Sequence, residues 1–185
     1  MLVRYTSLLK DVYQAAKIED PSCKILMGGL AEGYKIEWIY KNGGKDYFDV
    51  VNVHVLSSPL RPAPVKSAQS AVTQVKKIMA RFEDSKKRIW ITEMGCPGVP
   101  KNSTVKQWWN GKNPDEQEQA IWVKLIYTDF IKDEQVDKVF WAFFRDTQEH
   151  FGSGVDYFGL IRSDFSEKPG YLTLQDIIKN WQAPK

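Results

Sequence analysis

Short apolar segments that alternate with longer amphipathic ones are the feature that most constrains the fold of this chain. Four segments have the composition of buried strands: 24–27, 48–55, 88–92 and 138–144. Helical spacing of apolar residues follows each of them, at about 36–40, 65–82, 113–131 and 169–181, and a further helix, 2–17, precedes the first. Apolar strands separated by helices indicate a parallel sheet covered by helices. We therefore predict an α/β protein with a single domain, 1–185, since 185 residues are too few for two ordinary domains.

Two arrangements of such a sheet are compatible with this pattern of strands and helices. The sequence has no Gly-x-Gly-x-x-Gly after its first strand and no Gly-Lys-Ser/Thr phosphate loop. This argues against a nucleotide-binding open sheet and against an unrelated flavodoxin-like domain. The other arrangement is part of a (β/α)8 barrel, in which functional residues lie at the carboxyl ends of the strands.

Composition excludes several classes of function and favours one. The net charge of +3, from 26 Lys and Arg against 23 Asp and Glu, does not predict nucleic-acid binding. No apolar stretch approaches the roughly 20 residues of a membrane span, and residues 1–20 do not resemble a signal peptide, so the compartment is undetermined. Cys23 and Cys96 are too few for a disulfide scaffold, and their spacing does not show whether they pair. Aromatic residues make up 13% of the chain, which favours a carbohydrate-binding surface because sugars stack on aromatic rings.

Polar side chains end two of the predicted strands. Glu93 follows Ile89 and Ile91 at two-residue spacing, so regular alternation places all three on the face of a barrel interior. The same alternation places Asn52 and His54 inward on the second strand. A carboxylate at a strand end is a candidate nucleophile, and a histidine beside it is a candidate partner for that carboxylate or for a sugar hydroxyl. The alternatives are a solvated edge charge for Glu93 and a hydrogen-bonded core histidine for His54.

Three tryptophans accompany these polar residues. Trp141 belongs to the inward register of the fourth strand, where its indole is predicted to form the floor beneath a sugar held near Glu93. Trp108 and Trp109 lie in the loop after the third strand and are predicted to line outer subsites. The alternatives are plain core packing for Trp141 and a loop-anchoring pair for the other two.

These motifs resemble a known group of enzymes. Ile-Trp-Ile-Thr-Glu-Met-Gly-Cys-Pro at 89–97 is similar to the seventh-strand motif of retaining glycoside hydrolases of clan A, which share the (β/α)8 fold. Residues 48–54 resemble the sixth strand of these enzymes, and residues 139–146 resemble the eighth. Residues 157–161 and 167–171 resemble the segment that leads into the last helix. Residues 5–29 resemble the fourth helix with the fifth strand. The resemblance implies half of a TIM barrel, with four parallel βα units, strands 5 to 8, preceded by one helix.

The resemblance also implies roles. Glu93 matches the catalytic nucleophile, Trp141 the indole beneath the reacting sugar, and His54 a polar residue of the subsite wall. The activity implied is hydrolysis of β-linked oligo- or polysaccharides with retention of configuration, without metal or organic cofactor. In the clan, however, the general acid/base is a glutamate after the fourth strand, which has no counterpart in this chain.

Two functional hypotheses follow. The first is a glycoside hydrolase, or a fragment of its catalytic domain, with Glu93 as nucleophile and the acid/base missing from the chain. The second is a non-catalytic carbohydrate-binding or scaffold half-barrel. Open sheet edges favour association, so the expected partners are a second copy of the chain or an N-terminal half-barrel, besides the carbohydrate. A natural half-barrel, a split gene product and a truncated fragment all fit, and whether the isolated chain is an enzyme stays open.

Overall fold

The computed structural model describes residues 2–181, which contain a three-stranded parallel sheet and five α-helices. The strands are β1 Val50–Leu56, β2 Arg88–Gly95 and β3 Val136–Trp141. The helices are α1 Leu2–Glu19, α2 Ile36–Lys41, α3 Pro64–Arg81, α4 Glu116–Phe130 and α5 Pro169–Lys179. No helix within residues 2–181 is both long enough and apolar enough to cross a membrane.

The sheet has the order β1-β2-β3, and both strand pairs are parallel. Helix α3 connects β1 to β2, and α4 connects β2 to β3. Parallel neighbours require such crossover connections, so all three carboxyl ends lie at the same edge of the sheet. The α/β class and the parallel pairing predicted from the sequence are confirmed.

The first predicted strand, 24–27, is not a strand of the sheet. This segment forms isolated parallel bridges with β1, at Leu26 opposite Val50 and at Leu30 opposite Val53. Between them the Gly28 N–H donates to the Tyr5 hydroxyl at 2.6 Å, outside the ladder. The structure therefore has three strands and one bridge-paired segment where four strands were predicted. The pairing with β1 is interrupted by a register shift, since the two bridges lie four residues apart in this segment and three apart in β1.

The core lies between the sheet and helices α3 and α4. Its fully buried members come from both layers: Val51, Ile89 and Ile91 from the strands, and Val75, Met79, Trp122 and Val123 from the helices. Burying side chains of this size is the main source of stability in a domain of this length. One face of the sheet is thus covered by helices. The opposite face and the carboxyl edge remain available for other contacts.

A capping box fixes the beginning of α4. The Asp115 carboxylate accepts hydrogen bonds from the Gln117 and Glu118 N–H groups, both at 2.9 Å. In return the Glu118 carboxylate accepts from the Asp115 N–H at 2.8 Å. These bonds satisfy donors that the first helical turn leaves unpaired. The helix start predicted around residues 113–116 is therefore confirmed, and it anchors the end of the long loop that follows β2.

The two cysteines do not pair. Cys23 and Cys96 are both free thiols. Burial raises the pKa of the Cys96 thiol well above its ordinary value. Cys96 therefore behaves as a small apolar residue of the core.

Candidate functional site

Glu93 and His54 face each other at the carboxyl ends of neighbouring strands. Their Cα atoms are register partners in the β1–β2 ladder. His54 Nδ1 lies 3.2 Å from Glu93 Oε2, a distance at which a protonated imidazole forms an ion pair with the carboxylate. The Glu93 side chain is 46% exposed, whereas that of His54 is 18% exposed. The pair therefore presents an accessible carboxylate beside a mostly buried ring.

A β-bulge at Thr92 sets the direction of the Glu93 side chain. Val53 pairs with Ile91, but His54 pairs with Glu93, so Thr92 is the extra residue. Its hydroxyl donates to the Asn52 amide oxygen at 2.6 Å. Asn52 and His54 share a face of β1 by alternation, so Thr92 and Glu93 both turn toward that face.

The bulge corrects the face predicted for Glu93. Regular alternation predicted that Glu93 shares a face with Ile89 and Ile91, but both isoleucines lie fully buried in the core. That prediction is wrong, because an inserted residue reverses the alternation beyond it. Glu93 does lie near Asn52 and His54, but it does so because of the bulge and not because of the regular alternation assumed from the sequence.

Gly29 makes room for the imidazole of His54. A Cβ atom added at Gly29 would lie 1.9 Å from His54 Nε2, far inside van der Waals contact. The bridge-paired segment 24–30 thus forms the wall behind the ring. Sequence reasoning did not identify this role, since Gly28-Gly29 read only as the end of a strand.

We expect Gly29→Ala to lower the free energy of unfolding by about 1 to 3 kcal/mol, because the new methyl group and the imidazole occupy the same space. Urea unfolding monitored by tryptophan fluorescence measures the change. Gly28→Ala is the matched control, since its Cβ would lie 3.0 Å from the tip of the Tyr5 side chain. In a His54→Ala background the cost of Gly29→Ala should largely disappear, and an undiminished cost there would contradict the proposed clash.

Trp141 is not brought into this cluster. Its register partner is Met94, which is fully buried, and its indole N–H donates to the Phe158 carbonyl at 2.8 Å. Phe140, the preceding residue, lies instead on the face of Trp90, with ring centroids 6.1 Å apart. The role of Trp141 beneath a sugar stays a prediction, and its present contacts are those of a residue packed against the core.

The two tryptophans of the long loop have different environments. Trp108 is buried and packs edge-on against Phe158, with centroids 5.2 Å apart. Trp109 stacks on the same phenylalanine at 5.9 Å, yet it is 63% exposed. Trp108 therefore anchors the loop, and Trp109 is the ring of the pair that a ligand can reach.

Trp109 borders a pocket of about 300 Å³ next to His54. The pocket lies between the end of β1, the first half of α3 and the long loop. Asn110 joins these parts: its amide donates to the Leu56 carbonyl at 2.9 Å and accepts from Arg61 at 2.9 Å. Sequence reasoning missed Arg61 and Asn110, because nothing local shows that they meet across the carboxyl edge.

A buried ion pair stabilises the loops at the carboxyl edge of the sheet. Lys168 is fully buried and donates to Asp146 at 2.7 Å and to the carbonyls of Gly98 and Tyr157, both at 3.0 Å. Burial raises the pKa of Asp146, and burial lowers the pKa of Lys168. The loop after β2, the loop after β3 and the start of α5 are thereby held by one ammonium group.

Glu32 is poorly suited to act as a general acid. It follows the bridge-paired segment 24–30 in the chain. The hydrogen bond from Lys35 lowers the pKa of Glu32 below its ordinary value. A general acid needs a raised pKa, so that it is still protonated at working pH. Glu32 is therefore expected to be ionised, rather than a proton donor, at neutral pH.

Solved structures with the same fold are glycoside hydrolases. The GH2 β-galacturonidase from Eisenbergiella tayi aligns with 97% of the chain at a TM-score of 0.72 and 16% identity. The family 39 glycoside hydrolase from the gut symbiont Bacteroides cellulosilyticus WH2 aligns with 96% at 0.70 and 25% identity. The α-L-arabinofuranosidase from Thermotoga maritima aligns with 99% at 0.70 and 13% identity. The chain therefore has a glycoside hydrolase-like fold.

The alignments cover only part of those proteins. The chain spans 31%, 38% and 37% of the lengths of the three structures, respectively. No protein-family model and no curated protein sequence matches the chain. The likeness thus concerns the fold, over about a third of each of those structures.

Proposed function

We propose that the chain is part of the catalytic domain of a retaining glycoside hydrolase that acts on β-linked oligo- or polysaccharides. The three strands and the bridge-paired segment would correspond to strands 5 to 8 of a (β/α)8 barrel. The observation that carries the proposal is the Glu93–His54 pair, 3.2 Å apart at the carboxyl edge of a glycoside hydrolase-like fold. Active sites of such barrels lie at this edge.

Glu93 would act as the nucleophile. One of its carboxylate oxygens forms a bond to the anomeric carbon while the bond from that carbon to the leaving-group oxygen breaks. Water then attacks the glycosyl–enzyme and releases the sugar with its original configuration. His54 would hold the other carboxylate oxygen through its Nδ1 atom. Asn52 and Thr92, hydrogen-bonded to each other beside this pair, would complete the wall of the subsite.

The protonated carboxyl group that assists the leaving group would come from outside this chain. The open face of the sheet supports this part of the proposal, because it exposes aromatic rings near the interior of a barrel. Phe140 is exposed and lies beside Trp90, whose indole carries the Lys138 ammonium group 4.6 Å above it. An N-terminal half-barrel or a second copy of the chain would cover this face.

A mechanism-based inhibitor tests the proposal. A 2-deoxy-2-fluoro β-glycoside with a dinitrophenyl leaving group needs no acid assistance, so it reports on the nucleophile alone. We expect the chain to gain the mass of one fluorosugar, located on Glu93 by peptide mapping. Versions derived from glucose, xylose, galactose, mannose and glucuronic acid cover the main classes of substrate.

Each outcome of this experiment decides between the two hypotheses. Labelling of Glu93 supports a hydrolase whose missing part chiefly supplies the acid. Labelling at another residue contradicts Glu93 as the nucleophile. No labelling with any of the sugars contradicts it as well and favours the carbohydrate-binding half-barrel. The Glu32→Gln variant is the matched control, and it should be labelled as the wild type is, because Glu32 is an exposed carboxylate paired with Lys35.

A further inference from the structure

The pocket beside His54 contains a cation with no ionic partner. Arg61 lines the pocket, and its guanidinium donates to the Asn110 amide oxygen at 2.9 Å. Within residues 2–181 it forms no ion pair, and no acidic side chain lines the pocket. A guanidinium group has five N–H donors in a planar fork that fits a carboxylate. Most of this fork is therefore free to bind an anion.

A second polar group in the pocket has no partner within the protein. Ser57, at the end of β1, lines the pocket and is only 6% exposed. Its hydroxyl finds no hydrogen-bond partner among the described residues. A buried hydroxyl without a partner costs free energy, so native structures rarely leave one unpaired. The Ser57 oxygen has essentially no accessible surface, so a ligand in the pocket could bond to it only after the side chain rotates.

Trp109 supplies the apolar surface that a sugar ring needs. Its stacking with Phe158 leaves the ring 63% exposed at the border of the pocket. Ala68 and Ala71 of α3 line the pocket as small apolar residues. A flat ring, hydrogen-bonding groups and a free cation together match a sugar that carries a negative charge.

We propose that this pocket is a subsite for a uronic acid residue. The sugar carboxylate binds the free N–H groups of Arg61, and the sugar ring stacks on Trp109. Asn110 acts as a positioning residue, since it holds the guanidinium against the end of β1. This inference rests on the proposed function, because it names the substrate class of a pocket lined by His54, the neighbour of Glu93.

Calorimetric titration with four methyl glycosides tests the proposal: the β-D-glucuronide, the β-D-galacturonide, the β-D-glucoside and the β-D-galactoside. At low ionic strength we expect at least one uronide to bind about tenfold more tightly than its neutral counterpart, as one charge-assisted contact allows. The preference should shrink in about 0.5 M sodium chloride, since salt screens an exposed guanidinium. It should also disappear in Arg61→Gln.

Two controls make the result specific. Arg81→Gln removes an arginine at the opposite end of α3, where it pairs with Glu37, and should keep the preference. Glu93→Gln should keep it as well, because the carboxylate contact lies at Arg61. Equal affinity for uronides and neutral sugars, no binding of either, or a preference that survives in Arg61→Gln would overturn the proposal.

The test separates this inference from the proposed function. Preferential uronide binding without labelling of Glu93 by any fluoroglycoside would uphold the subsite and reject the hydrolase. Labelling of Glu93 without a preference for uronides would uphold the hydrolase and reject the uronic acid subsite.

Discussion

Glu93→Gln should slow the formation of a glycosyl–enzyme from a dinitrophenyl β-glycoside by about 1000-fold or more, as removal of a catalytic nucleophile does. The amide is almost the same size as the carboxylate, so it fills the same space beside His54 Nδ1. The fold should therefore be kept while the nucleophilic charge is lost. The rate of dinitrophenolate release in single-turnover experiments measures the effect.

Azide provides the chemical control for this prediction. In Glu93→Ala the small anion can occupy the space of the carboxylate and attack the anomeric carbon as dinitrophenolate leaves. A β-glycoside would then give the α-glycosyl azide, since only one displacement takes place. Recovery of dinitrophenolate release without this product, or a Glu93→Gln rate equal to that of wild type, would contradict the assignment. Glu32→Gln should react at the wild-type rate.

Lys168→Met should lower the free energy of unfolding by about 3 to 5 kcal/mol, the usual cost of removing one partner from a buried ion pair. The substitution leaves the Asp146 carboxylate buried without its ammonium partner. It also removes the donor to the Gly98 and Tyr157 carbonyls. Urea unfolding at neutral pH measures the loss, and Lys101→Met, at an exposed position of the loop after β2, is the matched control.

The loss should depend on pH with a defined sign. Burial already raises the pKa of Asp146, and without Lys168 the folded-state pKa should rise further above the unfolded value. The folded variant then binds a proton more tightly than the unfolded one, so its stability falls as pH rises through that interval. The deficit relative to wild type should be smallest in acid and largest at neutral pH. A deficit that does not vary with pH, or one below about 1 kcal/mol, would contradict a stabilising ion pair. Asp146→Leu combined with Lys168→Met should cost less than the sum of the single variants.

The elements of the fold were largely predictable from local sequence. Helical spacing located α3 and α5 close to their observed starts, and Asn113-Pro114-Asp115 marked the region in which α4 begins. The exception was the segment 24–27, which has strand-like composition but makes only isolated bridges. Composition cannot show the register shift between the two bridges, because the shift depends on how the segment pairs with β1.

The candidate site was predictable only in part. Glu93 and His54 were identified because both are polar residues at the ends of apolar strands, and parallel strands bring their carboxyl ends to one edge. The face of β2 predicted for Glu93 was wrong, because a two-residue period assumes a regular ladder. A bulge depends on the register of the neighbouring strand, which the sequence of β2 alone does not reveal.

The sequence by itself determined the α/β class, the parallel order of its strands and the carboxylate at the end of β2, because these depend on periodicity and on residue types within short segments. The tertiary structure alone decided which face Glu93 occupies, that Gly29 makes room for His54, and that Arg61 and Ser57 line one pocket. These features join residues of different elements and loops. Their positions are fixed by the packing of the sheet against its helices, which no local pattern contains.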